Sequence, residues 1–303
     1  MTGGPTVGVR STELPFLMTI DVHAGDEPWH VLAAAALLSS NVMPSTFMIP
    51  ARMTRDRSMA AAIRRLPSMG HGVGCHGLLH ELPEDYTSDP EPRQRRNLVE
   101  AKDTLEQVLE RPVLCFRAPG CGVSAATFRA LEYAGYRFDL SVCARRLPFF
   151  GSYPFSIGPL LAPLGPYNPN RLSPYRRGDL SILEIPTTAL VVPFTSMVHV
   201  YAGLRFAKGL AKVLVRRARN RQQPLVYAGH PADFSATSEM IPRYRPLLSD
   251  FLPCRLGGIR ARYWLQETDQ SKVHRDNMEM IEAFRLLPSV RFTTVERYAA
   301  SLA

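Results

Sequence analysis

Gly70-His71-Gly72-Val73-Gly74-Cys75-His76-Gly77-Leu78-Leu79-His80 is the stretch on which the reading of this chain turns. A helical pattern over Ser58–Met69 stops at Gly70, Val73–His76 reads as a short strand, and the strand ends in a histidine. The same order recurs on both sides. Leu14–Val22 reads as a strand ended by Ala24–Pro28, Trp29–Ser40 as a helix, and Thr46–Ile49 as a strand ended by Pro50. Downstream, Pro90 and Pro92 open a long helix to about Glu110, with Leu98, Leu105, Val108 and Leu109 on one face. Val113–Arg117 is the next strand, and Ser124–Ala134 is a helix with a Ser N-cap and Gly135 as its stop. Strands follow at Tyr136–Val142, Ile182–Pro186 and Leu225–Gly229. Tyr201–Arg219 reads as a basic helix, and the chain closes with helix Asp276–Leu286, strand Val290–Thr293 and a last helix.

This regular strand-then-helix order predicts an α/β fold with a parallel sheet. About seven repeats over 303 residues favour a distorted (β/α) barrel in a single domain, with a doubly wound open sheet as the alternative. Leu147–Arg177, rich in Pro, Gly and aromatic residues, breaks the rhythm and reads as a lid-like excursion over one end of the barrel.

Hydrophobic residues make up 46% and charged residues 21%, which excludes wholesale disorder. The net charge of +9 favours anionic partners: a phosphate-bearing substrate, lipid headgroups or nucleic acid. No nucleic-acid module or aromatic-basic interleaving stands behind the last, so no nucleic-acid partner is expected. The basic helix Tyr201–Arg219 and the apolar stretch Phe149–Leu164 would suit a peripheral stance on an anionic membrane; the competing readings are an ordinary barrel helix and a lid. Five cysteines without a CxxC pair read as reduced thiols. With no signal-peptide pattern in Met1–Leu14, the expected location is cytoplasmic, at most peripheral on the inner membrane face.

Four polar clusters fall at predicted strand C-termini: Asp21-Val22-His23, His76 with His80, Arg117-Ala118-Pro119-Gly120, and His230-Pro231. In a parallel barrel these ends form one rim, where catalytic groups gather. The four-residue gap would put His76 and His80 on one side of a helical turn, able to grip one metal ion. His71 reads as structural, capping the preceding helix.

Thr19-Ile20-Asp21-Val22, Gly70-His71 through His76–His80, Phe116-Arg117-Ala118-Pro119 and Tyr227-Ala228-Gly229-His230-Pro231 resemble the ordered motifs of the polysaccharide deacetylase family. Gly135-Tyr136-Arg137-Phe138-Asp139, Leu183-Glu184-Ile185-Pro186 and Phe292-Thr293-Thr294-Val295 match its surroundings. The resemblance runs from about Leu14 to the C-terminus and is weakest over Leu147–Asp179 and Ser235–Arg275. It implies hydrolysis of N-acyl groups on amino sugars with a divalent ion, usually zinc. It also implies Asp21 as base, His76 and His80 as metal ligands, Arg117 as the group that positions the base and His230 as general acid. Pro119 and Gly120 stand as substrate-binding residues.

The family usually places a second carboxylate, a metal ligand, one or two residues after the base; here those positions are Val22 and His23. Either His23 supplies the third ligand, as zinc accepts, or Asp26 does if the loop folds back, or the site binds metal poorly. The expected activity is removal of an acetyl or formyl group from a small nucleotide-linked or lipid-linked amino sugar. The alternative is a catalytically impaired, sugar-binding relative.

Overall fold

The computed structural model describes residues 13–81, 83–146, 157–235, 245, 247 and 265–302. Strands β1 (Leu14–Asp21), β2 (Thr46–Ile49), β3 (Gly72–Cys75), β4 (Cys115–Phe116) and β5 (Phe138–Asp139) alternate with helices α1 (Pro28–Ser40), α2 (Arg57–Arg65), α3 (Glu91–Leu109) and α4 (Ala125–Tyr133). Next come α5 (Gly158–Leu161), the hairpin β6 (Pro169–Asn170) and β7 (Ser173–Arg177), then β8 (Leu183–Glu184). A second hairpin, β9 (Ala189–Leu190) and β10 (Val192–Pro193), leads to α6 (Met197–Ala202) and α7 (Leu204–Asn220). The chain finishes with β11 (Leu225–Gly229), α8 (Gln270–Arg285), β12 (Val290–Thr293) and α9 (Val295–Ala300).

Seven strands pair in parallel in the order β11-β1-β2-β3-β4-β5-β8, and β12 adds in parallel to the N-terminal half of β1. The path curls into a distorted barrel; it does not lie open as a doubly wound sheet. Residues 187–195 span its open side. Thr187 N donates to Val142 O at 2.8 Å on one flank, and Ser196 N to Ala228 O at 2.9 Å on the other.

Several elements differ from their sequence-based bounds, each for a local reason. β4, β5 and β8 keep only two ladder residues, although Arg117 N, Leu140 N and Ile185 N still bond the neighbouring strands. The expected helix Tyr201–Arg219 is two helices, because Gly203 takes φ 84° between α6 and α7. α8 begins earlier than expected, where the Asp269 side chain accepts from Lys272 N at 3.1 Å and caps the first turn. β11 and β12 match their expected bounds.

The parity of β1 organises the interior. Phe16, Met18 and Ile20 face the helical layer, where Phe16 packs against Phe284 and Phe292 with centroids 5.2 and 4.9 Å apart. Leu17 faces the other way, into a small cluster with Met48, Cys115, Leu140, Ile185 and Val226, floored by Val295 and Tyr298 of α9. Thr19 and Asp21 share the parity of Leu17, so the interior becomes polar toward the C-terminal ends of the strands. Gly74 is needed here: a Cβ would lie 2.6 Å from Cys115 Sγ and 2.7 Å from Met48 Sδ.

The described part of the excursion, from Ile157 onward, lies at the β8 edge. Tyr167 pairs antiparallel with Glu184, and Arg129 on α4 donates to Arg171 O. Residues 147–156 of that expected lid, and most of the apolar stretch Phe149–Leu164 before Ile157, lie outside the described residues. No described helix is long and apolar enough to cross a membrane. Cys75, Cys115, Cys121 and Cys143 are free thiols, and Cys254 lies outside the described residues.

Candidate active site

Asp21 ends β1 with its side chain toward the interior, 8% exposed. Arg117, fully buried, donates to it from a terminal guanidinium nitrogen at 2.8 Å. The same guanidinium donates to Thr19 Oγ1 at 2.6 Å, to Leu140 O at 3.1 Å and to Thr187 Oγ1 at 3.2 Å. Four acceptors from three chain segments, β1 and the chain at Leu140 and at Thr187, fix its plane, so the carboxylate is aimed as well as paired. Burial alone would raise the Asp21 pKa, but Arg117, then His76 and His230, hold it down to about 2.

His76 follows β3 and is also buried. Its Nδ1 lies 2.8 Å from Arg117 O. A carbonyl only accepts, so Nδ1 carries the proton and Nε2 keeps its lone pair for the site. His23, two residues beyond Asp21, stands beside it. Ring centroids are 6.4 Å apart for His23–His76, 4.5 Å for His23–His80 and 4.7 Å for His76–His80. One ring nitrogen from each of the three lies within 4.8 Å of the other two. Among the described residues no other group of three or more His, Cys, Asp or Glu is so placed.

The three imidazoles also have the right charge for a cation. Burial holds the His76 pKa down to about 3. Burial, then the neighbouring His230 and His76, bring His23 to about 3; burial, then His23, brings His80 to about 4. All three are therefore neutral at pH 7, which a nitrogen ligand must be. The residues present fit a divalent ion that prefers nitrogen.

His80 reaches this cluster by a different route from the helical turn its spacing suggested. Gly77 has φ 85° and His80 φ 66°, so residues 77–80 form a loop. Glu84 holds that loop, accepting from the main-chain N–H of Leu78, Leu79 and His80 at 2.8, 3.0 and 3.0 Å and from Tyr86 Oη at 2.6 Å. A Cβ at Gly77 would lie 2.7 Å from Glu84 Oε2, so only glycine serves there.

Asp26 does not join the imidazoles. Its Oδ2 accepts from His23 N at 2.7 Å, closing the loop that carries His23. Burial pushes its carboxyl pKa up, against the pull of that hydrogen bond. His71 is structural, but its ring bonds α1 in place of the preceding helix. Ser45 N donates to Nδ1 at 3.2 Å, leaving Nε2 as the donor to Ala35 O at 3.0 Å.

His230 closes the ring of groups, its centroid 4.6 Å from that of His23. Asp233 supports it twice. Its Oδ2 accepts from His230 N at 2.6 Å and lies 3.5 Å from Nδ1. Burial disfavours the charged ring, but Asp233 outweighs it and the His230 pKa is raised. Pro119 and Gly120 turn beside this rim, Gly120 exposed with φ 62°. A Cβ at Gly77 would meet Pro119 Cγ at 3.2 Å.

Sequence reasoning missed Glu84 and Asp233. An acid three residues after His230, with Pro231 opening the turn, is a capping-box spacing and was a usable signal. Nothing comparable marks Glu84, whose partners are main-chain amides.

Residues 16–138 match the polysaccharide deacetylase family model, and the resemblance read from the motifs is borne out there. Among solved structures, the chain is similar to a putative polysaccharide deacetylase from Mycobacterium smegmatis, with 17% identity over 99% of this chain and 94% of that one and a TM-score of 0.60. Puue allantoinase gives 16% identity over 95% and 90%, with a TM-score of 0.57. A 4-alpha-glucanotransferase from Thermococcus litoralis gives 12% identity over 95% of this chain and 40% of that one, also with 0.57. No curated protein matches the sequence. These likenesses place the fold. Their different names mean that the reaction must be argued from the site.

Proposed function

We propose that this protein hydrolyses the N-acyl group of an amino sugar with the help of a divalent metal ion. The carrying observation is the convergence of three neutral imidazoles, a buried ionised carboxylate and a histidine–aspartate pair on one rim. His23, His76 and His80 would hold the ion, most suitably zinc, which when bound supplies Lewis acidity toward the amide oxygen and toward water.

The chain's own groups divide the proton work. Asp21, kept ionised and aimed by Arg117, takes the proton of the attacking water. His230, whose proton Asp233 favours, delivers one to the departing amine nitrogen. The bond formed is between the water oxygen and the acyl carbon; the bond broken is the amide C–N. Pro119 and Gly120 would border the substrate. A net charge of +9 suits a sugar bearing phosphate, as in a nucleotide-linked or lipid-linked form.

The test is release of acetate or formate from a panel of N-acyl amino sugars, before and after chelation and restoration of metal. Loss of release on chelation and in His230→Ala, with recovery on adding zinc to the wild type, is the expected result. A folded, metal-loaded protein that binds these sugars and releases no acid would favour the sugar-binding alternative.

A further inference from the structure

α7 departs from an ordinary barrel helix in what it shows to solvent. Over Leu204–Asn220 it carries Arg205, Lys208, Lys212, Arg216, Arg217 and Arg219 and no Asp or Glu. Its inner face is apolar and buried through Ala207, Leu210, Ala211, Leu214, Val215 and Ala218. Its outer face mixes the exposed cations Arg205, Lys212 and Arg216 with Phe206 and Val213, which are 52% and 51% exposed. These positions follow helical spacing, so charge and apolar surface share one stripe about 17 Å long.

Beside this stripe lies a groove of about 880 Å³ between α7 and the C-terminal end of α8. Its lining is apolar at Val215, Ala283, Leu287 and Pro288, and Leu286 at its border is 73% exposed. Two acids face it, and each already has a partner. Glu279 is held by Lys208 at 2.7 Å and Glu282 by Arg285 at 2.9 Å. Arg219, also on the lining, is in the opposite condition. Its Nε and one terminal nitrogen are shielded from solvent and have no acceptor among the described residues. Shielded donors without acceptors are costly, and a guanidinium fork fits a phosphate or carboxylate.

We propose that the face formed by α7 and the end of α8 docks on an anionic phospholipid bilayer. α7 lies along the headgroup plane, a lipid phosphate meets Arg219, and Phe206, Val213 and Leu286 enter the apolar boundary. A soluble phosphate would account for Arg219 but leave the exposed apolar residues without a role, which is why the lipid surface is the occupant. α7 precedes parallel strand β11, so it runs down the outer wall from the rim. Docked on this face, the protein keeps the rim beside the membrane and open to solvent. The proposal is independent of the reaction assigned to the rim.

Cosedimentation of the full chain with vesicles of phosphatidylcholine, with and without phosphatidylglycerol, tests it. Binding is expected only with phosphatidylglycerol and should weaken as salt rises. Lys212→Glu with Arg216→Glu should weaken it by roughly fivefold or more per cation lost. Arg219→Gln should weaken it too. Phe206→Ser with Val213→Ser should also reduce vesicle binding, with an unchanged thermal melt in each case. No binding to anionic vesicles, or undiminished binding by the charge-reversed variant, would overturn the proposal. So would binding that inorganic phosphate or RNA competes away while Phe206→Ser with Val213→Ser leaves it intact, because the cations would then serve a soluble anion.

Discussion

The main-chain oxygen of Arg117 accepts from His76 Nδ1 at 2.8 Å, while the guanidinium of the same residue donates to Asp21 at 2.8 Å. One residue thus orients the candidate base through its side chain and a candidate metal ligand through its backbone. The two functions separate on mutation. Arg117→Gln should leave the His76 contact in place, because the acceptor is main chain. It should also release Asp21 from its partner, so that its pKa climbs under burial. Metal content should survive while kcat falls by orders of magnitude. Loss of metal in parallel with activity would show that the backbone contact does not stand apart.

Glu84 carries a prediction that no motif would suggest. It satisfies three successive amides of the loop that brings His80 in, with His80 itself at φ 66°. Glu84→Gln keeps the volume but swaps one acceptor oxygen for a donor, setting an NH2 against main-chain N–H groups. A destabilisation of about 1–3 kcal/mol is expected for the loop. Metal affinity should drop by roughly 10–100-fold, as for partners that orient a ligand. Chelator competition and thermal melting read the two effects. Wild-type affinity in the variant would mean that His80 does not depend on this loop for its position.

How much of this was legible in the sequence depends on the range of the interaction. β11 and β12 were readable to the residue, because a short apolar run closed by Gly-His or by Thr-Thr is local information. So was the placement of Asp21, His76, Arg117 and His230 at strand ends. The short ladders of β4, β5 and β8 were not, since the curl of the sheet decides where pairing lapses. The break at Gly203 had a visible glycine but no local reason to prefer φ 84° over continuation. The spacing of His76 and His80 anticipated that the two rings come together, but by the wrong local geometry, because Glu84, beyond the motif, sets the loop. His23 was the preferred third ligand with Asp26 as a further candidate, and the hydrogen bond between them gives Asp26 a structural task.

Asp139 and Glu184 face each other in register on β5 and β8, both fully buried. Burial lifts the Asp139 pKa. Burial, then the charge of Asp139, lifts Glu184 well above the usual carboxylate range. Glu184 Oε1 accepts from Val142 N, but Oε2 has no donor among the described residues, which a proton shared with Asp139 resolves. A raised folded-state pKa means stability that is present at low pH and lost as pH rises through the lifted value. Melting temperature should therefore decline on that alkaline side. Glu184→Gln, whose amide can donate permanently to Asp139, should flatten the decline. Parallel melting profiles for the two proteins would show that the pair does not share a proton.

Asp233 is expected to act through His230, since it touches that ring and its main-chain N–H and none of the three clustered imidazoles. Asp233→Asn keeps an acceptor for His230 N but removes the charge that favours the ring's proton. kcat should fall about 10²–10⁴-fold, the range for an impaired general acid, with KM and metal content near wild type. Substrates whose leaving amine is less basic should lose less. An equal loss for all leaving groups would assign Asp233 to folding alone.

His23 stands where the polysaccharide deacetylase pattern usually has a carboxylate, and this substitution should set metal preference. Its loop is closed by Asp26 accepting from its main-chain N–H, a bond that does not depend on the residue 23 side chain. His23→Asp should therefore keep the loop and present an oxygen in place of a nitrogen. Three neutral nitrogens favour zinc over harder ions, whereas two nitrogens and a carboxylate narrow that margin. Competition between zinc and manganese, read by metal content after dialysis against both, should show strong zinc preference in the wild type and a weaker one in His23→Asp. His23→Ala should lose affinity for both ions, because water alone then fills the third position. If the zinc-to-manganese ratio is the same in wild type and His23→Asp, the imidazole of His23 is a neighbour of the metal site and not one of its ligands.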